Sequence, residues 1–197
     1  MKTRKAALYV ALCALSQCAV AQNLLQNPSF DTDVLPWQGS AASVWSTLNH
    51  GSSDSGSLQM TTSSFATTSQ CVLVAPNENY ELAAWIEQDP LRELDPCPTP
   101  SWDLAVEWHS DAMCQTGNFL EPVTSSDGPF PLDWYRNTFE VTAPQGAIST
   151  RIRLSVSCGE QHGTSIFYFD DVSFTPDRVF HNDFEVHAGE GGPGQPQ

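Results

Sequence analysis

The chain is almost without lysine. Lys2 and Lys5 are the only two, and charged residues make up only 16% of the 197. That shortage excludes a coiled coil or a charge-rich disordered chain, both of which need more Glu, Lys and Arg. The sign of the charge excludes more. Only 8 Lys and Arg face 23 Asp and Glu, a formal charge of −15, so there is no basic stripe for nucleic-acid phosphates. A polyanion is also repelled by anionic lipid surfaces. After residue 21 no apolar run is long enough to insert into a bilayer. There is no GxSxG, no HExxH, no CxxC, and no glycine-rich loop followed by Lys and a helix. The usual signatures of nucleophilic, zinc-dependent and phosphate-binding enzymes are therefore missing.

What is present starts at the N-terminus. Lys2, Arg4 and Lys5 form a basic segment, Ala6 to Val20 is apolar except for Ser16 and Gln17, and Ala19-Val20-Ala21 is an A-x-A cleavage signature. Residues 1–21 read as a secretory signal peptide, which predicts a secreted protein, extracellular or periplasmic. Its removal leaves five arginines, no lysine and a formal charge of −18. It also takes away Cys13 and Cys18, leaving Cys71, Cys97, Cys114 and Cys158. These are 26, 17 and 44 positions apart, which does not suit a zinc site. Four cysteines in an exported chain predict two disulfides, in any of three pairings. Nearness along the chain favours Cys97–Cys114 with Cys71–Cys158.

Residues 22–175 read as strands throughout. Ser43–Leu48, Ser57–Thr62, Thr67–Val74, Asn79–Gln88, Trp102–His109, Trp134–Thr142, Ser149–Ser157 and Thr164–Phe174 are mostly rich in β-branched and aromatic residues, with turn formers between them. No long helical period intervenes. The expected fold is all-β, a two-sheet antiparallel β-sandwich of the jelly-roll kind. Alternation puts Tyr80, Leu82, Ala84 and Ile86, then Leu104, Val106 and Trp108, then Ile152, Leu154 and Val156 on the core side. Asp89–Ser101, with Pro and acidic residues around Cys97, and Met113–Pro131 read as two long loops. Residues 176–197 form an acidic-aromatic patch and a Gly/Pro/Gln-rich end that cannot build a core, and are expected to be disordered.

The outward positions suggest a site. If Asn79–Gln88 and Trp102–His109 lie side by side, Trp85, Glu87, Glu107, His109 and Arg153 share one polar face. Carboxylates and Arg would bond sugar hydroxyls there, and the indole would stack on a pyranose face. The alternative is a solvated sheet face with Arg paired to Glu. Trp102, beside the Pro-rich loop, either stacks on sugar or covers the loop hinge. A hydrolase would need two carboxylates roughly 5–10 Å apart, which spacing along the chain does not establish.

The ends of residues 22–175 carry a recognisable pattern. Asn23-Leu24-Leu25-Gln26-Asn27-Pro28-Ser29-Phe30-Asp31, then Trp37, resembles the N-L-(L/I)-x-N-(G/P)-x-F-E opening of carbohydrate-binding modules of the CenC type (families 4 and 9). Phe169-Asp170-Asp171-Val172-Ser173-Phe174 resembles their closing F-D-D-V-x-(L/F) strand. Val72–Tyr80 with Trp85, and Trp134, Phe139, Ala143-Pro144 and Arg151–Val156, match segments between them. The sequence departs from the pattern at Asp31 for Glu, at Asn77 for Gly, and in the Cys-bearing loop.

The resemblance implies a galactose-binding-like jelly roll that binds a polysaccharide or cell-surface glycan without catalysis. The rival readings are an extracellular structural or adhesion protein that lost the sugar site and, more distantly, a small glycan-active enzyme. The resemblance also places Asp31 near Asp171, where members often hold a structural calcium, with carbonyls from Asn49–Gly56. The plainer alternative has both carboxylates accepting backbone N–H bonds. Relatives with two cysteines carry them in Q-C-V and S-D-A-x-C contexts, as at Gln70-Cys71-Val72 and Ser110-Asp111-Ala112-Met113-Cys114. That implies Cys71–Cys114, and hence Cys97–Cys158. Trp37 and Trp134 match positions that pack the sandwich, and Asp177–Glu185 resembles a D-R-I-F-x-D-G-F-E ending of secreted bacterial proteins.

Overall fold

The computed structural model describes residues 22–39, 42–51, 55–89, 97–127, 131–158 and 163–177. The expected signal peptide, most of the Pro-rich loop and the C-terminal patch lie outside them. Two five-stranded antiparallel sheets face each other. The strands are β1 (Gln38–Gly39), β2 (Ser43–Ser46), β3 (Ser57–Thr62), β4 (Phe65–Leu73), β5 (Asn79–Gln88), β6 (Ser101–His109), β7 (Phe119–Ser126), β8 (Tyr135–Thr142), β9 (Ser149–Ser157) and β10 (Ser165–Pro176). One sheet has the order β1-β4-β9-β6-β7, the other β2-β3-β10-β5-β8.

All eight expected strands are present. Two others were not expected. β1 is only two residues long, too short for a period to show. β7 lies in what reads as the loop Met113–Pro131. Its run Phe119-Leu120-Glu121-Pro122-Val123 does not alternate and contains a proline, which argues against a central strand. β7 is an edge strand paired only with β6, and the register shifts between Val106 and Trp108, opposite Pro122. The proline's missing N–H is tolerated at such an edge irregularity.

The core follows the alternation. Tyr80, Leu82, Ala84 and Ile86 from β5 meet Trp102, Leu104, Val106 and Trp108 from β6, Ile152, Leu154 and Val156 from β9, and Phe167, Phe169 and Phe174 from β10. Tyr80 stacks on Phe174 at 4.8 Å. Trp37 is buried in this cluster, as the resemblance implies, whereas Trp134 is only half-buried and stands outside it against His50. β10 needs one correction of phase to keep its phenylalanines inside. Its register against β5 shifts between Asp170 and Ser173, and Asp171 takes φ 45° to make the bulge. Phe169, Val172 and Phe174 all end in the core as a result.

The chain ends are laced together. Phe174 N–H donates to Asn23 Oδ1, Asn23 Nδ2 donates to the Val172 carbonyl, and Val172 N–H donates to the Pro28 carbonyl. The opening motif thus acts as an extension of the sheet containing β10. Asn27, at φ 46°, caps the following turn by donating to the Asp33 and Leu35 carbonyls.

The two disulfides are those the resemblance implies. Cys71–Cys114 has a Cα–Cα distance of 6.0 Å, and Cys97–Cys158 one of 5.5 Å. The second pins Cys97, where the Pro-rich segment re-enters the structure, to the end of β9. It spans 61 residues of sequence. Replacing both of its cysteines by serine should cost about 4 kcal/mol in the chain-entropy model. Urea unfolding measures it, and a loss under about 1 kcal/mol would show that the bond does not restrain the unfolded chain as that model requires.

Candidate functional site

The sheet order separates the residues that spacing grouped together. β5 pairs with β10 and β8, while β6 pairs with β9 and β7. Trp85 and Glu87 therefore lie on the outer face of one sheet, and Glu107, His109 and Arg153 on the outer face of the other. The expected single face of five does not exist. Trp102 is corrected as well: it is 1% exposed. It points the same way as Leu104, Val106 and Trp108, so it fills the core rather than meeting a sugar.

On the sheet containing β6, the three expected residues do come together. The register sets Glu107 opposite Arg151 and Ala105 opposite Arg153, so Glu107 is directly across from one arginine and diagonal to the other. Its Oε2 accepts from Arg151 Nη1 at 3.3 Å and its Oε1 accepts from Arg153 Nη1. Arg153 Nη2 reaches Asp103 Oδ2 at 3.4 Å. The Arg-to-Glu pairing is that of the alternative reading, on a face only partly open to solvent. Glu107 is buried, its charge held between two cations that are themselves only partly exposed. His109 is buried beside them, with Nδ1 3.2 Å from the Gln115 carbonyl and its ring edge-on to Phe119.

A short loop closes over this face. Asp111 accepts N–H bonds from Met113 and Gln115, the Ser149 hydroxyl donates to the Asp111 carbonyl, and Arg151 Nη2 donates to the Cys114 carbonyl. The Cys71–Cys114 bond ties the loop to β4. Between the loop and β1 lies a cavity of about 420 Å³. Gln26, Gln38, Ser69, Met113, Arg151 and the Cys71–Cys114 sulfurs are among its walls. Gln70 fixes the far wall, since its amide accepts from Gln26 N–H and donates to the Gln26 carbonyl. Of this lining, Arg151 was legible, because it alternates with Arg153 on one strand face. Gln26 and Gln38 were not, because nothing local to either marks it.

The other sheet's outer face is arranged differently. The ring of His50 stacks on Trp85 with centroids 3.6 Å apart, and Trp134 stands edge-on to His50 at 5.9 Å. One face of the Trp85 indole is thus already covered by the protein's own imidazole. Burial, then the charges of Asp133 and Asp89, push the Glu87 carboxyl above its ordinary range.

At the junction of opening and closing motifs, the inward carboxylate is Asp170, not Asp171. Asp170 is fully buried and accepts N–H bonds from His50 and Asp171. Burial, opposed by those bonds, pushes its pKa up to about 6. Asp171 and Asp31 are exposed, and His50 Nδ1 lies 3.7 Å from Asp171 Oδ2. The Phe30 carbonyl accepts from the Trp45 indole and from Gly56 N–H. Among the described residues no three His, Cys, Asp or Glu side chains converge as a metal set. Asp31 and Asp171 alone fall short of the oxygens calcium takes. The buried Asp170 adds a carboxylate next to Asp171, and both of its oxygens already accept backbone N–H bonds.

The arginine–glutamate network has a measurable consequence. Glu107→Gln leaves two guanidinium groups facing each other across a partly buried gap. It should cost about 3 kcal/mol in urea unfolding, in the range for removing one partner of a buried pair. A loss below about 1 kcal/mol would mean that the network does not hold the face.

No family model matches the chain, and no curated protein is similar to it in sequence. Solved structures are similar in fold. A family 16 carbohydrate-binding module aligns with a TM-score of 0.56 at 18% identity, over 78% of this chain and 99% of its own. A family 61 module solved with β-1,4-galactotriose aligns at 0.54 and 17%, over 80% and 100%. The tandem family 22 modules of Paenibacillus barcinonensis Xyn10C align at 0.57 and 18%, over 83% of this chain and 51% of theirs. This chain therefore has the jelly-roll fold of the carbohydrate-binding modules.

Proposed function

We propose that the protein is an exported, non-catalytic carbohydrate-binding module. The observation that carries this reading is the cavity of about 420 Å³ on the outer face of the β6 sheet. It lies within the size range of small-molecule sites and is lined by side-chain amides, a hydroxyl and a guanidinium beside apolar atoms, the mixture that such sites use. Glu107, Arg153 and His109 support its floor by holding Arg151 and the Asp111–Gln115 loop in place. The neighbours include a module solved with a galactotriose and xylan-binding domains, which favours a polysaccharide partner. Export rests on the signal-like residues 1–21 and on the two disulfides.

One observation favours the second reading, an extracellular structural or adhesion protein. Among the described residues the outer face of the β6 sheet carries no Trp or Tyr, so the usual stacking platform for a pyranose is missing. The two readings separate on a glycan array probed with residues 22–197. The first predicts retained glycans, and roughly tenfold weaker binding in the Gln38→Ala/Met113→Ser double variant. Both side chains are exposed, so that variant should fold. An empty array gives the protein to the second reading, and retention indifferent to the double variant keeps a sugar binder but takes the site away from this cavity.

The proposal extends to a structural calcium at the junction of the chain ends. Asp170 would supply the buried carboxylate, with Asp31 and Asp171 adding further carboxylate oxygens. When bound, the ion would neutralise the buried charge and tie the two ends together. A ligand that binds only the folded state raises its melting temperature by mass action. Thermal melts in millimolar calcium and in chelator should differ by several degrees, and superimposable curves would remove the ion from the account.

A further inference from the structure

The cavity's lining narrows the class of sugar. Among the described residues no carboxylate is in its walls, so an amine finds no partner there. The cation described in the lining, Arg151, already donates to Glu107 and to the Cys114 carbonyl, so an anionic sugar would have to compete with an internal carboxylate. Among the described residues the wall also has no indole or phenol, so a plain hexopyranose has no such ring to stack on.

What the cavity does offer is carboxamide and sulfur. Gln26 and Gln38 are exposed at its mouth, and neither side-chain amide has a partner among the described residues. Each presents a donor and an acceptor in one plane. The Ser69 hydroxyl lies beside Gln38, its register partner on β4. The lining also includes Met113, Ala112 and the disulfide-bonded Cys71 and Cys114, an apolar and polarisable set. Met113 is 75% exposed, yet its loop is pinned by the disulfide, by Asp111 and by Arg151. The Met113 backbone is therefore held beside the cavity.

We infer that the cavity binds an acetamido sugar, a 2-acetamido-2-deoxyhexose unit of a glycan. This rests on the reading of the cavity as a sugar site and names its specificity. The acetamido group is a planar amide ending in a methyl. Its N–H and C=O match the glutamine amides and the Ser69 hydroxyl, and its methyl fits against Met113 and the disulfide. A sugar with a hydroxyl in place of that group can still bond the amides, but it leaves the apolar wall wet.

The test uses the chain from residue 22 and NMR titration with five probes. These are the methyl glycosides of N-acetylglucosamine, N-acetylgalactosamine, glucose, galactose and glucosamine. At least one acetamido glycoside should bind roughly tenfold or more tightly than its parent sugar and the free amine, as expected where a site's polar groups and methyl pocket are both served. Gln38→Ala and Met113→Ser should each weaken that binding with the melting temperature unchanged. Binding of glucose or galactose with equal strength, lost in Met113→Ser, would keep the sugar site and overturn its acetamido specificity. If none of the five binds and the glycan array is also empty, both the specificity and the sugar-site reading fall.

Discussion

The outer face of the β6 sheet depends on one buried carboxylate. Glu107 takes a guanidinium on each oxygen and so fixes Arg151 and Arg153 in position on β9. Arg151 in turn holds the Cys114 carbonyl. Its loop crosses the sheet to Cys71 on β4. Remove the charge from the middle of this chain of contacts, and the arginines repel, the loop loses its anchor, and the cavity loses a wall. In a chain with only 8 Lys and Arg against 23 Asp and Glu, two of the cations are committed to this arrangement. That expenditure is easiest to understand if the face itself has work to do.

The same logic separates the two faces of the sandwich. The β6 sheet supports a recess walled by groups that hydrogen bond, with the disulfide loop as a rigid lip. The β5 sheet carries the aromatic residues that a reader of sequence would choose for sugar, and the protein has covered one face of Trp85 with its own His50. The same loop gives its His50 N–H to Asp170, so this face is coupled to the junction of the chain ends. A recess on one sheet and closure of the fold on the other is the division that the side chains describe.

Much of this could be read from residues in order, and the exceptions have physical causes. Strand alternation in Tyr80–Ile86 and Ile152–Val156 is a local property, so the core and eight strands were legible. The disulfide pairing was legible only through resemblance, since three pairings suit four cysteines equally. Strand adjacency is not local. Nothing between residues 79 and 109 says whether two successive strands share a sheet, and here β5 and β6 fall in opposite sheets. That single fact breaks up the expected face of Trp85 and Glu107. Trp102 misled for another reason: its nearness to a proline-rich loop suggested exposure, but its phase with Leu104 put it inside. That Asp170 rather than Asp171 is buried follows from the bulge that shifts the phase of β10, and no period reveals a bulge. Gln26 and Gln38 meet only through the pairing of β1 with β4 and the fixing of Gln26 by Gln70.

The central claim is one of location: a glycan is held at the recess between β1 and the disulfide loop. A crystal structure of the chain with the tightest glycan from an array addresses it directly. The account predicts a sugar seated between Gln38 and Met113, in reach of Ser69 and Arg151, with the His50–Trp85 stack intact. A sugar lying instead on Trp85 and Trp134, with His50 displaced and the recess holding only water, would contradict it.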